Sequence, residues 1–160
     1  MQLFILHLNP AVAAMQQCDK HVVKMLLETA QILSSTCRWY SCTDEILYKQ
    51  THLNHPVMVW TRQSRKNFEW VLFHGMALCR EYTSRYHRVH KSEAVIRRIL
   101  VLYHDIEFMS VDFTEPNACM PDEYKRDNIV DSYRNFYIQS KSKFAVWKYT
   151  KTPEWFIEAV

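Results

Sequence analysis

CDKHVVKMLLETAQ, residues 18–31, reads as one amphipathic helix. Residues three, four and seven apart share a helix face, which sets His21, Lys24, Glu28 and Gln31 along one stripe. Val22, Val23, Leu26, Leu27, Ala30 and Leu33 make up the other side, enough apolar surface to lay the helix on a core. The stripe carries a base, an amine and a carboxylate, although a solvated surface helix shows the same pattern.

Working outward, 160 residues with 48% apolar side chains suffice for one core and fall short of two, so residues 1–160 are read as a single domain. The only glycine, Gly75, excludes the glycine-rich loops that bring backbone close to phosphates. It also argues against hairpin-rich β folds, whose turns need positive φ. The expectation is an all-α, compact single-domain bundle with a buried first helix and a long central helix. The net charge of +3 permits a local basic face without demanding one. Five cysteines, odd in number and irregularly spaced with no secretory leader, read as reduced thiols in an intracellular protein. No apolar run reaches the roughly 18 residues of a membrane span, so a soluble protein with no membrane partner is expected.

Taken in order, residues 2–8 form an apolar run, extended or a buried strand. Asn9-Pro10 looks like an N-cap followed by proline at the first helical position, opening a short helix over residues 11–17. The helix of residues 18–31 should end near residues 34–36, where Ser-Ser-Thr replaces the apolar period. A connection follows over residues 37–54, with room for a short helix at 44–50. A second long helix is expected from Pro56 to about Tyr86, with Gly75 marking a weak point or a close helix crossing. Residues 92–103 read as another helix, residues 104–126 as an ordered loop, and Asn128 as the cap of a last helix. The tail, AVWKYTKTPEWF, is aromatic and basic.

Glu28 is a candidate acid or base if a cleft partly desolvates it; the plain alternative is a solvated carboxylate paired with Lys24. His21 is a candidate proton carrier with the same ambiguity. His52, His55 and Glu28 show no convergent metal-ligand spacing, and neither metal nor cofactor is expected. Arg134, Lys141, Trp147, Lys148 and Tyr149 interleave cations with rings, which suits phosphate contact with base stacking. Trp147 is equally read as a core anchor. His55 and Arg62 are further candidates for contact with a nucleic acid.

DKHVVKMLLE, with His21 and Glu28 seven apart after an acidic residue, resembles the first-helix motif of the phage pyrimidine-dimer DNA glycosylase and AP lyase, the endonuclease V family. The order of helices and the tail VWKYTK are similar to that family as well. NHPVMVW, REYTSRY, MPDEYK and PEWF look like small phage or viral proteins, which would place the protein in an infected host cell. The resemblance implies an all-helical fold, DNA as partner, Glu28 as catalytic carboxylate and His21 as a contact to damaged DNA. It also implies an N-terminal α-amine that attacks the sugar C1′, expels the base and forms a Schiff base. Two features depart from the family pattern. Gln2 stands where a small residue exposed by removal of the initiator methionine is expected, and Leu27 and Gln31 stand where arginines flank the family's glutamate. Lys24 is a substitute amine.

The function expected is therefore a DNA-acting enzyme most like a base-excision glycosylase, with Glu28, His21 and Lys24 catalytic. Two alternatives remain: an enzyme processing nucleotides or modified bases on the same scaffold, and a non-enzymatic module that binds nucleic acid or protein.

Overall fold

The computed structural model describes residues 1–159, and among them the only regular elements are helical. Seven α-helices follow in order: α1 (Pro10–Met15), α2 (Asp19–Trp39), α3 (Pro56–Gln63), α4 (Arg65–Tyr86), α5 (Glu93–Leu102), α6 (Ile129–Lys141) and α7 (Glu154–Ile157). α2 packs against α3, α4 and α5, and α1 lies on α4. The all-α expectation holds, and no described helix is long and apolar enough to cross a membrane.

α2 outruns its expected end. Ser34, Ser35, Thr36 and Cys37 are all buried, so the apolar period gives way to small polar residues without leaving the core. The Thr36 hydroxyl donates back to the Ile32 carbonyl at 3.0 Å, satisfying itself inside the helix. Earlier on α2, Thr29 makes a close crossing with Gly75 of α4. A Cβ at position 75 would sit 3.0 Å from Thr29 Cγ2 and 3.2 Å from Ile96 Cδ1, so α2, α4 and α5 meet at the one residue that has none.

The long central helix is two helices. Ser64 breaks it with extended backbone, φ −150° and ψ 160°, and caps α4 by accepting from the Asn67 amide. Buried Asn67 braces the joint: its Nδ2 donates to the Trp60 carbonyl at 2.9 Å and to the Thr114 hydroxyl at 2.8 Å. Its carbonyl oxygen accepts from the Thr114 amide. Periodicity across residues 56–86 misses this break because Ser64 keeps the helical phase on both sides. Residues 44–50 hold turns in place of the short helix expected there.

Leu3, Phe4, Ile5 and Leu6 are buried at 3% exposure or less, yet they pair with no strand. Buried backbone must still find partners, and side chains supply them. Arg134 Nε donates to the Leu6 carbonyl, Trp70 Nε1 to the Leu8 carbonyl and His74 Nδ1 to the Pro10 carbonyl. At the far end the Gln2 amide donates to Glu28. This run of side-chain ties threads the first residues through the bundle and delivers the start of the chain to α2.

The α1–α2 joint is fixed by Arg85, 3% exposed, whose guanidinium meets Met15 O, Gln17 O, Asp19 and Glu81. It thereby takes up a carbonyl that the end of α1 leaves without an intrahelical partner. Asp19 in turn accepts from the Lys148 amide at 2.8 Å, tying the tail to the start of α2.

Candidate functional site

Glu28 lies two turns into α2 with 15% of its side chain exposed, and its two oxygens have different partners. Oε2 accepts from the Gln2 backbone nitrogen at 2.6 Å, while Oε1 faces Lys24 Nζ at 3.6 Å. The carboxylate thus bridges the beginning of the chain and a lysine that is 67% exposed. His55, the cap of α3, stands at the same place. Its proton affinity is lowered, first by burial and then by the terminal amine and His52, with Glu28 pulling the other way. Beside His55 opens a cavity of about 760 Å³, walled by Asn117, Cys119, Met120 and Lys125. Burial pushes the Cys119 thiol up, and the terminal amine is among the charges pulling it back, so the cavity lies within electrostatic reach of the start of the chain.

His21 does not share that face. Its ring is 5% exposed, stacked on Phe4 with centroids 4.6 Å apart and edged by Phe144. The Tyr137 hydroxyl accepts from the Cys18 amide at 2.9 Å, leaving its own proton for His21 Nδ1 at 2.6 Å. A ring that accepts at Nδ1 is neutral, and burial, followed by Lys141, Lys24 and Lys20, pushes its pKa down to about 3. The ring that the sequence places on a DNA-facing stripe thus lies in the core, away from the exposed face of α2. The exposed ridge of α2 runs through Lys20, Val23, Lys24 and Leu27, with Glu28 and Gln31 half-buried on its flank and His21 turned inward. Val23 and Leu27, expected in the core, are 38% and 42% exposed.

His74 is the second core histidine, held near 4 by burial against the opposing Pro10 carbonyl. Both rings are neutral in the folded chain and protonate at about 6.5 when unfolded. The unfolded state therefore binds more protons below that value, and stability present above about pH 6.5 is lost as pH falls toward 4 and 3. Thermal melts should show a midpoint that drops between about pH 7 and about pH 5, each histidine contributing about 1.4 kcal/mol per pH unit below its unfolded value. His21→Gln should make that dependence shallower; an unchanged slope would overturn the assignment.

The remaining candidates divide into two groups. Lys141 ends α6 with Nζ 4.5 Å above the Phe136 ring, and its proton affinity is lowered by burial and then by Lys24, which places the two amines on one face. Lys148 and Tyr149 are exposed and line a hollow of about 290 Å³ with Lys20 and Phe144, at the N-terminal end of the α2 ridge. Arg62, Arg134 and Trp147 serve the architecture. The Arg62 guanidinium lies 4.0 Å over Trp39 and donates to the Leu53 carbonyl, anchoring the 40–55 connection. Arg134 holds Leu6 and covers Trp155. Trp147 is 8% exposed and donates to the Gln16 carbonyl at 3.2 Å, so the core-anchor alternative describes it.

Two participants escaped the sequence reading. One is the backbone nitrogen of Gln2, because no side-chain pattern reports where a main-chain atom ends up. The other is Lys125 with the Asn117–Met120 wall, which lies in the segment read as an ordered loop.

The arrangement defines an all-helical protein with a lysine-flanked carboxylate set against the start of its own chain. The chain belongs to the pyrimidine dimer DNA glycosylase family, whose model matches residues 1–94. The matched part holds α1 to α4, including Lys24, Glu28 and His55; Lys125, Lys141 and the tail lie beyond it. No curated protein and no solved structure matches the chain.

Proposed function

We propose that the protein is a DNA glycosylase acting on damaged pyrimidines in duplex DNA, with an associated lyase step. The observation that carries this is the 2.6 Å contact between Gln2 N and Glu28 Oε2. In a chain whose first residue is Gln2, the nitrogen at that position is a primary amine; it attacks C1′ of the damaged nucleotide, forming an N–C1′ bond as the glycosidic bond breaks and the base departs with its bonding electrons. Glu28 accepts the amine's proton and returns it as the sugar ring opens to the imine. Removal of a C2′ proton then expels the 3′ phosphate and cleaves the strand. A carboxylate one hydrogen bond from the amine meets the geometric requirement for such proton transfers.

Lys24, Lys141, Lys20, Lys148 and Tyr149 form the phosphate-contacting face. The cavity beside His55 receives the nucleotide drawn out of the stack, a displacement that chemistry at C1′ within a duplex calls for. His21 has no step in this scheme.

The test is incubation of the chain, prepared with Gln2 as its first residue, with ultraviolet-irradiated duplex in the presence of borohydride. The expected result is a covalent protein–DNA adduct that is absent with undamaged duplex. Salt-dependent binding with neither adduct nor base release would replace the enzyme with a binding module.

A further inference from the structure

The ridge of α2 beside Glu28 combines features that burial alone does not account for. Leu27 and Val23 stand 42% and 38% exposed among apolar neighbours on α2, Val22, Met25, Leu26, Ala30, Ile32 and Leu33, that are 2% exposed or less, while the exposed Trp39 at the helix's far end lies under the Arg62 guanidinium. The two protruding side chains are four residues apart and therefore neighbours on the surface, interleaved with Lys20 and Lys24. Cations gather around them without matching anions. Lys20, Lys24 and Lys141 all depress His21, and Lys24 depresses Lys141. Among the described residues only Lys24 of the three has a carboxylate within salt-bridge distance, and that carboxylate is Glu28.

An apolar ridge among amines of which only Lys24 has an acidic partner identifies its occupant by charge. A second copy of this chain docked on the same face would set lysines against lysines, which opposes association. A polyanion with apolar surface between its phosphates fits both features. We infer that Leu27, supported by Val23, is a wedge that enters the DNA groove at the damaged step and occupies space between unstacked bases. The lysines on either side hold the two phosphate strands. Inserted leucines of this kind unstack and kink a duplex, at a cost offset by the wider contact that the bend permits. Lys24 lies three residues from Leu27 and four from Glu28, so it neighbours both on the surface of α2 and links the wedge to the carboxylate. Opening of the step and delivery of C1′ to the site thereby become one movement.

This inference rests on the protein's acting on duplex DNA, and the experiment separates the two claims. A duplex carrying a tetrahydrofuran abasic analogue, which lacks the C1′ oxygen needed for an imine, has 2-aminopurine placed beside the analogue. Binding is followed by anisotropy and local unstacking by 2-aminopurine fluorescence. The unsubstituted chain is expected to raise the fluorescence severalfold on binding. Leu27→Ala should lower that rise at least threefold while leaving the slope of log K against log salt unchanged, because no phosphate contact is lost. Leu27→Met, which keeps apolar bulk, should restore the rise. Leu27 is a surface residue, so circular dichroism of all three proteins should coincide. A full fluorescence rise in Leu27→Ala, or a loss of binding with a changed salt slope, overturns the wedge and leaves the DNA reading standing. Failure of the unsubstituted chain to bind the duplex overturns both.

Discussion

Glu28→Gln is expected to reduce single-turnover base release from damaged duplex by about 10²–10⁴-fold, the range that a positioned acid or base commands. The fold should survive. The glutamine carbonyl oxygen still accepts from the Gln2 amide, so the tie now measured at 2.6 Å persists, and only the Lys24 pair is lost. With Lys24 67% exposed, that pair contributes about 0.3–0.5 kcal/mol, and the melting temperature should move by no more than about 2–4 °C. Binding to uncleaved duplex should hold or tighten, since one negative charge leaves a face that meets phosphates. A carboxylate that merely pins the N-terminal segment predicts something different: glutamine pins it equally well, so turnover would match the unsubstituted chain. Glu28→Ala then serves as the contrast, because it removes both proton transfer and the tie to Gln2.

The split between what the sequence carried and what it concealed follows from which physical signal each feature leaves. Asn9-Pro10 and Asn128 are caps with local chemistry, and both helices start where those residues say, α1 at Pro10 and α6 at Ile129. The apolar face of α2 is legible because burial repeats every three to four residues. Its outward face is less so: of the stripe 21, 24, 28 and 31, Lys24 is exposed, Glu28 and Gln31 are half-buried and His21 is in the core, while Lys20, Val23 and Leu27 are exposed beside them. Both series satisfy helical spacing, and only packing distinguishes them. Phe4, Tyr137 and Phe144 close over His21 from the N-terminal segment, α6 and the residues after it, none of which is adjacent in sequence. Ser64 is hidden for a related reason, since its extended backbone is secured by Asn67 reaching across to Thr114. Glu28 was found through its residue type and the family motif, whereas its partner at Gln2 is a main-chain atom 26 residues away.

The identity of that main-chain atom leads to the second large effect, which concerns how the chain begins. In a chain that carries Met1, the nitrogen 2.6 Å from Glu28 is an amide, whose lone pair is delocalised and does not attack carbon. In a chain prepared so that Gln2 is the first residue, the same nitrogen is a primary amine held against the carboxylate that would take its proton. Borohydride trapping on damaged duplex should then be about 10²-fold faster than for the chain that retains Met1, where the free amine lies one residue further along. A misplacement of about 1 Å already costs that much in a near-attack geometry. N-acetylation of the Gln2-started chain should abolish the adduct with the backbone trace otherwise intact. Cyclisation of its glutamine to pyroglutamate, which consumes the amine and releases ammonia, should do the same. Lys24 is the rival nucleophile because its amine faces the other oxygen of Glu28 at 3.6 Å. Lys24→Arg keeps the charge and removes a nucleophilic amine, so it should leave trapping by the Gln2-started chain within about threefold if proximity to Glu28 through Oε2 is what selects the reacting nitrogen. Proteolysis and mass measurement of the reduced adduct should then place the sugar on Gln2. An adduct on Lys24, lost in Lys24→Arg and indifferent to acetylation of the chain start, would transfer the nucleophile's role to the lysine and leave Gln2 as the anchor that orients Glu28.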